Sequence, residues 1–200
     1  MRRLLHIIGL AAGIACGLPA ISAAQEPIHW SLAIATKGPL KAGQKVEAVL
    51  TARIDKGWHL YALEEPDGGP PPTVLTVLGP KPFALEGTIS SPAPIKAFDP
   101  NFNLETEYFE DEAVFTLPVR LAAGTANGRH TLKVTANWVT CNDRLCLPPK
   151  ELTMSADAGV GVALESLPPV AAATGTTGTI GTTGTTGTTG TTGTTGTPRT

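Results

Sequence analysis

The feature of this sequence most capable of chemistry is a pair of cysteines, Cys141 and Cys146, with four residues between them. Cysteines this close in sequence can bridge across a tight turn, so the pair can exist as a dithiol or as a disulfide. Thiol–disulfide exchange interconverts the two states through a mixed disulfide with a partner, and no general base, cofactor or metal is required. We therefore expect no general base, no cofactor and no metal. Exchange at this pair is one candidate function.

Two other uses of the cysteine pair remain open on the residues alone. A structural disulfide closing so short a loop is worth only about 2 kcal/mol in the chain-entropy model, yet such bridges are the commoner use of paired cysteines in exported proteins. A zinc site needs about four ligands, and it would have to recruit His59 or His130. Otherwise we expect His59, beside Trp58, to be a strand residue with its ring at the surface. Two charged residues between the cysteines, Asp143 and Arg144, would tune thiolate stability in opposite directions or serve solubility alone.

The N-terminus predicts export. Met1-Arg2-Arg3 precedes an apolar run and a small-residue segment ending Ser22-Ala23-Ala24, which is the pattern of a signal peptide cleaved after Ala24. Residues 1–24, including Cys16, are then lost. The mature chain is predicted to be periplasmic, where disulfides persist.

Strands must position the cysteines, because apolar residues alternate with polar ones along most of the chain. The clearest sets run 28–34, 46–54, 115–121 and 132–138, and the last ends next to Cys141. Shorter candidates are 58–62, 73–78, 83–89 and 150–156. Seven or eight short strands without a helical pattern predict an all-β fold, an immunoglobulin-like two-sheet antiparallel sandwich. Its core should include the three tryptophans: Trp30, Trp58 and Trp138.

Composition sets the boundaries and excludes some partners. We expect one folded domain over residues 25–167 and a disordered tail over 168–200, because glycine recurs at every third position from Gly175 to Gly196 among threonines. Loss of Arg2 and Arg3 leaves 13 basic residues against 17 acidic ones, so no nucleic acid is expected. No second apolar run is long enough to span a membrane.

Three sequence blocks resemble the N-terminal periplasmic domain of the DsbD thiol:disulfide interchange family. The most specific is the cysteine segment, with Trp138 before it and Leu147-Pro148-Pro149-Lys150 after it. The second is Gly57-Trp58-His59-Leu60-Tyr61, followed by 66–73. The third and weakest joins 98–102 to 107–111.

The resemblance implies an immunoglobulin-like domain that passes reducing equivalents to thioredoxin-like periplasmic proteins, which maintain disulfides or mature cytochrome c. It implies that Cys141 and Cys146 are the redox pair and that Cys146 forms the mixed disulfide with the partner. A cap loop that shields the disulfide would lie near Phe98 and Phe102.

Two departures from the family pattern affect these expectations. Full-length members continue into a membrane domain and a thioredoxin-like domain, so we expect a separate membrane electron donor here, or a truncated chain. Some members also have one more residue between the cysteines, which would change the loop geometry. The alternative is an exported binding or structural module with an inert disulfide.

Overall fold

The computed structural model describes residues 25–79 and 81–168. The chain divides into two units, Met1–Leu167 and Pro168–Thr200, and the first of them contains the strands. The predicted signal peptide (residues 1–24) with Cys16 lies outside the described residues, as do residues 169–200 of the predicted tail.

The described residues form strands and one short 3-10 helix. No helix among them is long and apolar enough to cross a membrane. The strands are β1 Ile28–Ala35, β2 Lys45–Ile54, β3 His59–Tyr61, β4 Val74–Val77, β5 Phe83–Leu85, β6 Ile95–Asp99, β7 Leu104–Phe109, β8 Glu112–Leu121, β9 Gly128–Trp138, β10 Thr140–Cys141 and β11 Lys150–Val160, and the 3-10 helix is Leu164–Ser166.

Every pairing between the described strands is antiparallel, which confirms the predicted all-β antiparallel class. The hydrogen-bonded sheets number three among the described residues rather than two, with orders β1-β2-β8-β5, β10-β3-β7-β6 and β11-β9-β4. The additional sheet arises because the chain changes partners at Val139. Up to Trp138 it pairs with β11, and from Thr140 it pairs with β3.

Alternating side chains of the strands build the main core. In both β2 and β8, every second residue is buried, as expected for strands with one face toward the core. The Trp30 ring lies 5.5 Å from Trp138 and 6.0 Å from Phe115 between centroids. Trp138 is buried, and Trp30 and Trp58 pack against the same cluster, so the predicted contribution of all three tryptophans is confirmed.

A second, smaller cluster lies apart from the main core. Tyr61, Val139 and Cys141 are its buried members, and Phe102, Tyr108 and Cys146 pack against them. Its residues come from β3, β7, β10, the link between β9 and β10, the β6–β7 turn and the segment after β10 that contains Cys146. The fold therefore gives the cysteine pair an aromatic setting of its own.

Candidate functional site

The two cysteines form a disulfide, with 1.99 Å between the sulfurs and 4.0 Å between the Cα atoms. Their exposure differs. Cys141, in β10, has no exposed surface, whereas Cys146 is partly exposed. An incoming thiolate can therefore reach the sulfur of Cys146 more readily than that of Cys141.

The cysteine loop, residues 142–145, is held by hydrogen bonds that its own sequence provides. The side-chain Oδ1 of Asn142 accepts from the main-chain N–H groups of Arg144 (2.9 Å) and Leu145 (3.0 Å), a local turn that asparagine favours. The N–H of Asn142 donates to the carbonyl of Leu145 at 3.0 Å, and that of Leu147 donates to Thr140 at 2.9 Å. The loop is thus a closed turn presenting Cys146.

The charged pair inside this loop is exposed. Asp143 and Arg144 both face solvent. The carboxylate of Asp143 acts on neighbouring rings, since its charge helps to raise the pKa of Tyr108, for which burial is the larger cause. The predicted tuning of the cysteines by Asp143 and Arg144 stays a prediction.

A buried carboxylate connects the aromatic rings to the β6–β7 turn. Asp99 is 2% exposed, and its Oδ2 accepts a hydrogen bond of 2.6 Å from the hydroxyl of Tyr61. Burial, followed by this hydrogen bond, raises the pKa of Tyr61 far above its usual value, so the phenol stays neutral. The other oxygen, Oδ1, accepts from the main-chain N–H and the side-chain amide of Asn101, at 2.8 and 3.0 Å.

His59 completes this buried group. It lies directly opposite Cys141 in the β3–β10 pairing. Its side chain is 10% exposed, with Nε2 3.7 Å from Asp99 Oδ2 and 3.2 Å from the hydroxyl oxygen of Tyr61. Its ring stacks at 4.6 Å on Tyr108. The expectation from sequence that this ring lies at the surface is wrong, because Asp99 and Tyr108, far along the chain, cover it.

The β6–β7 turn, residues 100–103, is called the cap hairpin below. Phe102 packs against the cysteine cluster, with its ring centroid 5.9 Å from that of Tyr61. Phe98 precedes the turn and is 61% exposed. The structure therefore brings Phe102, but not Phe98, into the aromatic cluster. Asn103 adopts a left-handed φ of 56°, a conformation that asparagine tolerates.

A zinc ion would need further ligands near the cysteines. The described part of the chain contains no group of three or more histidine, cysteine, aspartate or glutamate residues arranged to hold a metal. His130 lies on β9 opposite Ala158, where its Nε2 is 2.8 Å from the carbonyl oxygen of Ala126. Only His59 of the two suggested histidines is near the pair.

Five residues of this site were not identified from sequence as redox-site residues: His59, Tyr61, Asp99, Asn101 and Tyr108. Of these, His59 was considered only as a zinc ligand. A signal for two of them was present, because His59 and Tyr61 are two apart on a strand and so share a face. The roles of Asp99 and Asn101 depend on contacts between distant segments, which single-sequence patterns do not reveal.

Comparison with known proteins identifies a family to which most of the described chain is similar. The family model described as "Thiol:disulfide interchange protein DsbD, N-terminal" matches residues 33–158. No curated protein matches the sequence. Similar solved structures include the N-terminal domain of DsbD from Neisseria meningitidis in the reduced form, with 18% identity over 61% of this chain and 82% of that chain and a TM-score of 0.41. Another is the N-terminal periplasmic domain of ScsB from Proteus mirabilis, with 16% identity over 63% of this chain and 45% of that chain and a TM-score of 0.40. From the family-model match, the chain belongs to the family of DsbD thiol:disulfide interchange N-terminal domains.

Proposed function

We propose that this protein relays reducing equivalents through Cys141 and Cys146 to thioredoxin-like periplasmic proteins. We propose as well that a membrane electron donor supplies the electrons. The observation that carries the proposal is the unequal exposure of the two bridged cysteines in a member of a thiol:disulfide interchange family. A partner protein must reach the sulfur of one cysteine, and the buried second cysteine must lie close enough to attack that sulfur afterwards.

The exchange runs in two steps in each direction. When the pair is reduced, the Cys146 thiolate attacks a disulfide sulfur of the acceptor and expels that protein's other sulfur as a thiolate. Cys141 then attacks Cys146, reforms the bridge and expels the remaining acceptor sulfur. The acceptor gains two electrons and the pair loses two. Donor thiols reverse these steps when they reduce the bridge.

The aromatic cluster supports this assignment because it shields the disulfide from non-specific thiols. Phe102 packs against the cluster from the cap hairpin, and Tyr108 packs against the same cluster and contacts the ring of His59. A protein partner that displaces the cap hairpin would reach Cys146. Thiols that leave the hairpin in place would react with Cys146 more slowly. Among the acceptors we include proteins that maintain disulfides and those that mature cytochrome c.

Two observations favour a second function, an exported binding or structural module with an inert disulfide. Cys141 has no exposed surface, and the loop that follows it is closed by hydrogen bonds. A bridge held this way could be a permanent staple. Trapping experiments separate the two functions, since an inert staple forms no mixed disulfide.

The trapping experiment uses two single substitutions and an exported thioredoxin-like protein in its disulfide form as bait. Cys141→Ser removes the resolving thiol, so a covalent complex through Cys146 should accumulate. Cys146→Ser should trap little. Non-reducing gels and peptide mapping read the result. Trapping by Cys146→Ser alone would reverse the two roles, and trapping by neither would favour the inert module.

We further propose that the mature protein begins near Gln25 and works in the periplasm as one folded domain, residues 25–167, followed by a flexible tail. The signal-peptide pattern and the composition of the tail support this. Mass spectrometry of the exported protein tests it. A mature chain that retains Cys16, with or without a lipid, would contradict the cleavage site.

A further inference from the structure

We propose that His59 is the proton acceptor for Cys141, so that the buried resolving thiol becomes a thiolate by passing its proton to Nδ1 of this imidazole. This inference rests on the proposed exchange function and adds a residue to its chemistry. The sequence led us to expect no general base. The structure places a candidate general base, His59, opposite the buried Cys141.

Strand register brings His59 and Cys141 together. They are directly paired residues of antiparallel strands, and side chains of such partners lie on the same face with Cβ atoms about 5 Å apart. Thr140 reinforces the pairing, because its hydroxyl donates to the carbonyl of His59 at 2.7 Å. The imidazole therefore lies within side-chain reach of the sulfur.

The direction of the hydrogen bonds made by the Tyr61 hydroxyl assigns the tautomer of His59. A phenol has one proton to donate, and Tyr61 donates it to Asp99 at 2.6 Å. Nε2 of His59, 3.2 Å from the same phenol oxygen, must therefore be the donor in that contact. In the neutral imidazole this leaves Nδ1 with its lone pair, ready to accept a proton.

The surroundings keep His59 neutral at rest and stabilise its charged form after proton transfer. Burial lowers the pKa of His59 below its usual value, outweighing the opposing charges of Asp99, Glu110 and Asp143. These carboxylates come from β6, the β7–β8 turn and the cysteine loop, and they face an imidazole that Tyr61 and Tyr108 also contact. They can therefore stabilise the imidazolium ion.

Cys141 needs such a partner because it has no exposed surface. An apolar environment disfavours the thiolate, whereas a neighbouring histidine favours it. Tyr61, on the same face, is no substitute, since its raised pKa keeps it protonated. Asp99 already accepts hydrogen bonds from Tyr61 and Asn101.

In the resolving step, His59 takes the proton and the partner's sulfur leaves with the electron pair. The Cys141 proton moves to Nδ1 of His59, and the Cys141 thiolate attacks Cys146 in the mixed disulfide. A bond forms between the sulfurs of Cys141 and Cys146, and the bond from Cys146 to the partner breaks. The electron pair leaves on the partner's sulfur, which takes a proton from solvent, and His59 returns its proton to solvent.

The rate of the resolving step tests this without any partner protein. When the reduced protein reacts with excess 5,5′-dithiobis(2-nitrobenzoate), one nitrothiobenzoate is released as Cys146 forms the mixed disulfide, and a second is released as Cys141 resolves it. The second phase is intramolecular and independent of reagent concentration, so stopped-flow absorbance separates it from the first. His59→Gln, which retains a donor for Tyr61 but cannot take up a proton, should slow the second phase by about tenfold or more near neutral pH and leave the first unchanged. His29→Gln, at an exposed histidine of β1, is the matched control and should change neither phase.

The result that overturns the inference is an unchanged rate of the second phase in a folded His59 variant. His59→Phe, which retains a ring to stack on Tyr108, is used if His59→Gln does not fold. Nitrogen NMR of the wild-type protein adds a readout independent of variants, since a proton on Nδ1 and none on Nε2 would also overturn the inference. The trapping experiment is separate, so an inert disulfide and an uninvolved His59 give different results.

Discussion

The side-chain amide of Asn101 donates a hydrogen bond of 3.0 Å to the main-chain carbonyl of Asn142. This contact joins the cap hairpin to the cysteine loop. The same Asn101 side chain also binds Asp99, at 3.0 Å. Opening the cap hairpin away from the disulfide therefore breaks a contact with the loop that carries Cys146.

We predict that Asn101→Ala speeds reduction of the disulfide by glutathione. A hydrogen bond of this kind contributes about 1 kcal/mol, so its loss should accelerate a reaction limited by cap opening by roughly fivefold. Stopped-flow tryptophan fluorescence measures the rate. Asn127→Ala, at an exposed site away from the cluster, is the control. Equal rates in both variants would mean that the contact with Asn142 does not restrain access.

Phe102 and Phe98 should behave differently when truncated. Phe102 packs on the cysteine cluster, and Phe98 is mostly exposed. Phe102→Ala should therefore increase the rate of reduction by a small thiol several-fold, while Phe98→Ala should leave it within about twofold of the wild-type rate, since exposed substitutions away from special features have small effects. A larger effect at Phe98 than at Phe102 would contradict the assignment of the cap residue.

Sequence patterns predicted the long strands well and the site poorly. The alternation in β2 and β8 is regular because each strand has one face in the core. The sequence analysis did not predict β6 and β7. Glutamates separate the few apolar residues of β7, and the buried Asp99 at the end of β6 lies just before a proline. The strand predicted over 83–89 ends at Leu85, near Gly87, whose φ of 132° departs from strand geometry.

The cysteine pair was identifiable because its spacing is local. The environment of the pair was not, because it depends on pairing between distant strands. His59 becomes a buried neighbour of Cys141, which lies 82 positions later in the chain, only when β3 pairs with β10. The hydrogen bond between Tyr61 and Asp99 likewise joins residues that are 38 positions apart. Periodicity within one segment carries no information about such contacts.

Truncation of Phe115, a core residue, should strongly lower the free energy of unfolding. This side chain has no exposed surface and contacts Trp30 and Phe109. Phe115→Ala should lower the free energy of unfolding by about 3–5 kcal/mol, the usual result of removing a buried aromatic ring. Val114→Ala, at the exposed neighbouring position, should change it by less than about 0.5 kcal/mol. Urea denaturation compares them, and similar losses would contradict the placement of β8.

The protein should lose stability as the pH falls below about 6.5, the ordinary pKa of histidine. Burial lowers the pKa of His59, so the unfolded chain binds this proton more readily than the folded protein. The contribution is fully present above about pH 6.5 and decreases on acidification, by at most about 1.4 kcal/mol per pH unit for one proton. Urea midpoints at about pH 7.5 and about pH 5.5 should differ less in His59→Gln. The same difference in variant and wild type would contradict burial of a neutral His59.

The reduction potential of the Cys141–Cys146 bridge tests the central claim most directly. The purified protein is equilibrated with glutathione or dithiothreitol mixtures, and the reduced fraction is determined by thiol alkylation and mass spectrometry. An exchangeable relay should reduce reversibly, with a potential above about −300 mV. A potential below that value, in the range of structural disulfides that resist the glutathione pool, would show that the bridge is an inert staple.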